Sequence, residues 1–471
     1  MKTTETDEPK ASPKLQGIRG SRFAWPIAGF AVSSLVSIPI LVVVSSLFSD
    51  SEGIWEHLVE TVLADYARNT LGLASGVALL TFTIGVGCAW LVSMCEFPGR
   101  RVLSWALALP LACPTYLIVY AYSDLLQFSG PLQTWLRSTF DWSRQDYWFP
   151  EVRSLSGAVV LLSAVLYPYV YLASRAAFLE QSVCVLEVSR TLGKSAWQSF
   201  FQVALPLARP SIVAGLSLVL METFADFGAV DYCAIDTFAT GIYRTYTGLG
   251  STTGAAQLSA VLLGFVACLF FLEQLSRRRA GHYHATNRYR EVRRVRLRGR
   301  RRLLATLLCT LPILVGFVAP IGIFAHMTWR HGDARALELA MELGQNTFVL
   351  AAIASGLAVF LALVVAYGKR NWSSPWMRLS ATVASLGYAM PGGVVALGVM
   401  IPAVWFDHQV GDMLDSFFGV STGLLLSGTI AAVVMGYLVR FLAVALRLTE
   451  GGLTRIRLSI DGAAQTLGAS R

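Results

Sequence analysis

Glu222 and Asp226, in the stretch METFADFGAVDYCAID, are two carboxylates spaced to act together. Four residues apart, they fall on one face of a helix, and Asp231 and Asp236 follow them. Hard carboxylate oxygens suit Fe3+ or a polyamine and would repel phosphate or sulfate. The competing reading is structural: acids at a water interface cap helices or pair with a neighbour such as Arg244. Other chemistry is thinly represented. His282 and His284 stand among arginines without companion ligands, so no metal site is expected. The seven cysteines contain no CxxC pair and read as small hydrophobes. No cluster fit for an enzyme stands out, no catalytic residue or cofactor is expected, and no GxxxxGK[ST] phosphate loop occurs.

The elements that must position these acids are greasy. The 471 residues are 55% hydrophobic and 14% charged, with a mean hydropathy of +0.56, against roughly a quarter charged in soluble domains. Ten apolar runs approach the length that crosses about 30 Å of hydrocarbon: 25–48, 70–94, 102–126, 156–178, 211–230, 257–275, 303–326, 347–367, 379–405 and 423–446. The chain reads as an all-α, multi-pass membrane protein with Glu222 and Asp226 at the outward end of the fifth span. Carboxylates at that depth are costly and point to function. Tyr116, Tyr120, Tyr122, Tyr167, Tyr169 and Tyr171 read as interfacial belt or packing, and Pro114, Pro168 and Pro391 as helix kinks.

The net charge of +9 has one source. Residues 277–302 hold twelve arginines and one glutamate, +11, which leaves −2 for the remainder. Beside a span this is a positive-inside anchor in contact with anionic lipid. Only Tyr283 and Tyr289 could stack on bases, so nucleic acid is not an expected partner. Lysine and arginine bias puts the N-terminus, Arg100, Arg101, residues 180–210, the arginine segment and Lys369 inside, and Asp407, Asp412 and Asp415 outside.

The chain is also written twice. NTLGLASGVALL from Asn69 matches NTFVLAAIASGL from Asn346 at an offset of 277, which also carries Pro114 onto Pro391. EVSRTLGKS (187–195) meets GAAQTLGAS (462–470) at offset 275. Six spans precede the arginine segment, so the repeats are parallel rather than inverted. The expected domains are a first half (1–276), an arginine-rich linker (277–302) and a second half (303–471). Four spans follow the linker and the chain stops inside the repeated motif, so the second half is expected to be truncated and the chain a fragment.

Between spans four and five lies LEVSRTLGKSAWQSFFQVALPLARPS (186–211). Val185, Val188 and Leu192 keep helical spacing, and Gly193 supplies the residue that ends a helix. Ser195 and Gln198 form a capping-box pattern for a second helix. Trp197, Phe200, Phe201, Ala204 and Leu205 draw an apolar stripe along it, and Pro206 and Pro210 are expected to stop it. Such a hinged pair fits a groove on a partner protein or lies on lipid; its repetition favours a dimeric partner.

These residues carry a family resemblance. Glu187-Val188-Ser189, Gly193 and Leu205-Pro206, then Gly462-Ala463-Ala464 and Gly468, resemble the EAA loop of ATP-binding-cassette importer permeases. The duplication and the arginine joint resemble the fused ferric-iron permeases of that family. The resemblance implies the type I importer transmembrane fold, with Glu187, Ser189, Gly193, Trp197, Pro206, Gly462, Ala463, Ala464 and Gly468 in ATPase-coupling loops. It further implies a separate ATPase dimer, an extracytoplasmic solute-binding protein, a bacterial inner-membrane location and ferric iron as cargo. Thiamine, a polyamine or another small solute is the alternative cargo, and an ion-coupled secondary transporter is the alternative class.

Overall fold

The computed structural model describes residues 21–180, 193, 195–278, 294–332, 334–371, 374–419, 423–454, 460 and 466. In chain order the helices are α1 (Ser21–Ser45), α2 (Ile54–Thr61), α3 (Leu63–Met94), α4 (Arg100–Ala106), α5 (Thr115–Leu126) and α6 (Pro131–Phe140). They continue with α7 (Leu155–Glu180), α8 (Ala196–Ser199), α9 (Leu205–Ala225), α10 (Gly228–Tyr232), α11 (Phe238–Thr247) and α12 (Thr252–Arg278). The remainder are α13 (Arg300–Ile313), α14 (Ala319–His331), α15 (Ala334–Asn371), α16 (Pro375–Ala384), α17 (Gly392–Phe418) and α18 (Ile430–Thr454). Two short strands, β1 (Cys95–Glu96) and β2 (Val295–Arg296), pair in parallel. Among the described residues nine helical segments are long and apolar enough to cross a membrane, or ten if the bent segment 100–140 counts as one.

Two expected spans are interrupted. After α4 a tight turn at Leu109–Ala112 leads to Pro114, the N-cap of α5, and the path bends by 90°. After α16 a similar turn at Gly387–Ala389 leads to Pro391, the N-cap of α17. The two prolines share one conformation (φ −59°, ψ 138° and φ −59°, ψ 147°). Proline offers no N–H and bars its predecessor from the helical region, so these are breaks where kinks were expected. Pro168 does lie inside a continuous helix, α7. The 277-residue offset lays α3, α4, α5 and α7 on α15, α16, α17 and α18, so the duplication extends to the fold.

The chain divides into two compact units, each drawing on both halves of the sequence. One comprises residues 1–38, 350–388 and 433–471. Here the Trp25 ring lies 5.5 Å from Tyr367, and Leu35 packs with Ala358, Val434 and Leu438. A β-carbon at Gly29 would come within 2.8 Å of the Met377 sulfur, so the glycine sets how closely α1 approaches α16. Lys369 pairs with Glu450 at 2.8 Å.

The other unit comprises residues 39–349 and 389–432. Its centre is α7, approached by three glycines. A β-carbon at Gly85 of α3 or Gly215 of α9 would stand about 3.0 Å from α7 backbone atoms at residues 167–171, and one at Gly316 only 2.2 Å from the Ala164 carbonyl oxygen. Gly316 sits in the π-helical turn Leu314–Val318 that joins α13 to α14. The first helical segment of the second half is thus inserted among helices of the first. The carbonyl it meets is the one Pro168, four residues on, has no N–H to satisfy.

Candidate functional site

The loop read from the sequence as a hinged elbow is described at Gly193 and from Ser195 onward. Gly193 has φ +79°, the left-handed conformation that a helix-ending glycine supplies. The capping box then forms: the Ser195 amide donates to Gln198 Oε1 at 2.9 Å and the Gln198 amide to Ser195 Oγ at 3.3 Å. Glu187, Ser189, Gly462, Ala463, Ala464 and Gly468 lie outside the described residues. Trp197 is described only as a member of α8.

Pro206 and Pro210 do not stop this helix. α8 runs into a π-helical turn, Phe200–Ala204, and then into α9, with Pro206 in its first turn and Pro210 inside it. Residues 200–225 are a single membrane-length segment. The Leu205 amide bonds Phe200 O, five residues back, so the widened turn shifts the ladder just where Pro206 lacks a donor. The expected stop rested on an unbroken i to i−4 ladder, which the chain avoids.

The apolar stripe on this helix faces mainly inward. Ala204 is fully buried, and Phe200 and Leu205 pack on the main core. The Phe200 ring lies 4.8 Å from Trp90 and 6.4 Å from Phe178. Phe201 is 56% exposed and turns outward.

At the far end of α9, Asp226 is the C-cap residue. Its carboxylate accepts from Thr115 Oγ1 at 2.5 Å and from the Ala229 amide at 2.8 Å. It therefore ties the start of α5, directly after Pro114, to the short helix α10. Asp236 is ion-paired with Arg244, so the structural reading applies to both acids. Glu222 is half-buried one turn before Asp226, and Asp231 is exposed. The repeated Asn-Thr pair also acquires a role: Asn69 Nδ2 donates to Asp236 O at 2.9 Å, and Thr70 Oγ1 accepts from the Phe238 amide at 3.2 Å.

The tyrosines divide by burial. Tyr167 and Tyr171 are fully buried, with Tyr171 donating to Ser104 O at 2.7 Å, whereas Tyr116 and Tyr120 are exposed. Tyr122 donates to Val315 O at 2.8 Å. Periodicity had not singled out Thr115, Asn69, Thr70 or Tyr122, whose partners lie far away in sequence. On the acidic side of α17, Asp407 is buried and accepts from the Leu426 and Ser427 amides at 2.9 and 2.8 Å. A cleft of about 460 Å3 lies between the end of α5, α6 and the segment that precedes α7, lined by Gln133, Arg144, Tyr147, Trp148, Glu151 and Arg153.

Duplicated bundles of membrane-length helices, broken by proline at matching points and joined to a capped polar elbow, define a membrane permease. The chain belongs to the family of binding-protein-dependent transport system inner membrane components, whose profile matches residues 20–282. It is similar to an Fe(3+)-transport system permease protein of Haemophilus influenzae, 23% identical over 423 residues, 88% of this chain and 75% of that one. The molybdenum transport system permease protein of Escherichia coli is 29% identical over 222 residues, 45% of this chain and 94% of its own. The sulfate transport system permease protein of the same organism is 28% identical over 180 residues, 38% of this chain and 62% of its own. Less than half of this chain accounts for nearly a whole molybdenum permease, as a duplicated ATP-binding-cassette importer permease requires.

Proposed function

We propose that this chain forms the pathway of an importer for ferric iron and is driven by a separate ATPase dimer. The observation that carries the mechanism is the unbroken rod from Ser195 to Ala225. A capped cytoplasmic helix passes through the π turn into a transmembrane segment without a joint. Force applied beside Gly193 therefore reaches Asp226, and through Thr115 the proline break at Pro114. In this reading the N-terminus is cytoplasmic, and the Glu187 loop and its second copy around Gly462–Gly468 seat in the ATPase. Glu222 faces the cargo, while Asp226 holds the joint that positions it.

The iron assignment is supported by the Fe(3+) permease relative, which matches along both halves, and by carboxylates rather than arginines at the outward end of α9. The molybdenum and sulfate relatives favour a second reading, an oxyanion. Uptake of radiolabelled iron, molybdate and sulfate separates them, using cells that lack their own importers and express the chain with its ATPase and binding protein. Iron accumulation lost in Glu222→Gln supports the reading. Molybdate or sulfate accumulation without iron sinks it. The cleft lined by Trp148 and Arg153 opens outward in this orientation and receives the binding protein.

A further inference from the structure

We propose that the segment Arg294–Arg302 is a binding site for the phosphate groups of anionic phospholipids, held ready by its pairing with β1. Six arginines fall within nine residues: Arg294, Arg296, Arg298, Arg300, Arg301 and Arg302. All six are exposed. The segment holds no carboxylate, and no ion pair involves these arginines among the described residues. The nearest acid on the paired strand, Glu96, is engaged by Arg100 at 3.2 Å.

Unpaired charge on a loose tail would be an ordinary solvated run. This one is fixed. β2 pairs with β1, the Leu297 amide donates to Glu96 O at 3.1 Å, and Thr306 Oγ1 donates to Pro98 O at 3.4 Å. Leu297 packs on the main core, which sends its neighbours Arg296 and Arg298 to the opposite side of the strand. Alternation adds Arg294 to that side. Much of the ordering cost of gathering three guanidiniums is thus met before any ligand arrives.

Depth selects the ligand. α13 begins at Arg300, and Leu303, Leu304, Leu307, Leu308 and Leu311 are each between 54% and 63% exposed. Their spacing draws a lipid-facing stripe that starts one residue past the last arginine. At 1.5 Å per residue along α13, Arg300, Arg301 and Arg302 lie within about 5 Å of that stripe, in the headgroup layer, and the strand that carries the other three leads directly into them. Three arginines in the first turn also oppose the helix dipole, an arrangement that a neighbouring anion relieves. Guanidinium forks match phosphate oxygens in pairs. A soluble acidic protein or free phosphate would satisfy the charge but leave the leucine stripe unexplained.

The test is native mass spectrometry of the full-length chain in detergent, titrated with dioctanoyl phosphatidylglycerol or dioctanoyl phosphatidylcholine. Wild type should retain phosphatidylglycerol selectively. R294Q/R296Q/R298Q should bind it about a hundred-fold more weakly, from about 1 kcal/mol per arginine. The corresponding triple lysine variant should keep most of the affinity, and R68Q/R330Q all of it, which controls for charge and folding. Equal retention by wild type and the triple glutamine variant overturns the proposal, as does equal binding of the two lipids. Displacement of the lipid by millimolar inorganic phosphate would assign a free-phosphate site instead. Retained lipid with lost association to the ATPase subunit would assign the stripe to that protein and overturn it equally.

Discussion

Pro320 has no amide hydrogen, and much of the local chemistry around Gly316 follows from that. In the π turn Leu314–Val318 the Ala319 amide bonds Leu314 O, so the next carbonyl, Val315 O, would look to residue 320. Proline there leaves it without a donor, and the Tyr122 hydroxyl supplies one at 2.8 Å. Tyr122→Phe should therefore cost about 1–2 kcal/mol, read as a lower thermal midpoint in detergent with membrane insertion unchanged. An unchanged midpoint would show that the carbonyl finds another partner. Gly316→Val should be worse, because its side chain would enter the Ala164 carbonyl. At Gly193 the left-handed backbone penalises any β-branched residue by about 1–2 kcal/mol. Gly193→Val should insert normally yet lose transport-linked ATP hydrolysis; uptake at the wild-type rate would remove the elbow from the mechanism.

Single elements show where reading the sequence succeeds and where it stops. Ser195 and Gln198 were recognisable as a capping box because both partners lie within one turn. Ser195→Ala should cost about 1 kcal/mol of helix stability, seen as faster amide exchange at residues 196–199 and little change beyond the π turn. Exchange unchanged at those positions would deny the cap its role. The same short range made Gly193 legible, whereas Pro114 and Pro391 were recognisable only as disturbances, read as kinks where the helices break. Pro206 was misjudged because proline ends a helix only while the ladder keeps its four-residue register. The stripe through Phe200, Ala204 and Leu205 was legible as apolar, but periodicity says nothing of what covers a face. Here the cover is Trp90 and Phe178, over twenty residues distant or more. Pairing as short as Cys95–Glu96 with Val295–Arg296 leaves no sequence pattern at all.

At the scale of the whole molecule, the two-fold repeat was written in the sequence, but the placement of the first segment of each half was not. Residues 21–38 pack with residues 350–388 and 433–454, and α13 packs with α3 and α7. In that second contact the Cys88 thiol of α3 donates to Leu308 O of α13 at 3.7 Å, which places it beside Cys309. A variant retaining only these two cysteines, oxidised with iodine and then cut by trypsin in the arginine linker, should stay in one piece until reduced. Separation of the halves after oxidation would refute the packing of α13 on α3. The arrangement also sets a timetable for synthesis. Ile38 leaves the ribosome about 300 residues before Leu350, roughly 15–60 s at ordinary elongation rates. Throughout that interval the opening helix must wait in lipid or in the care of an insertase, so neither bundle can finish assembling while its chain half is the sole one made.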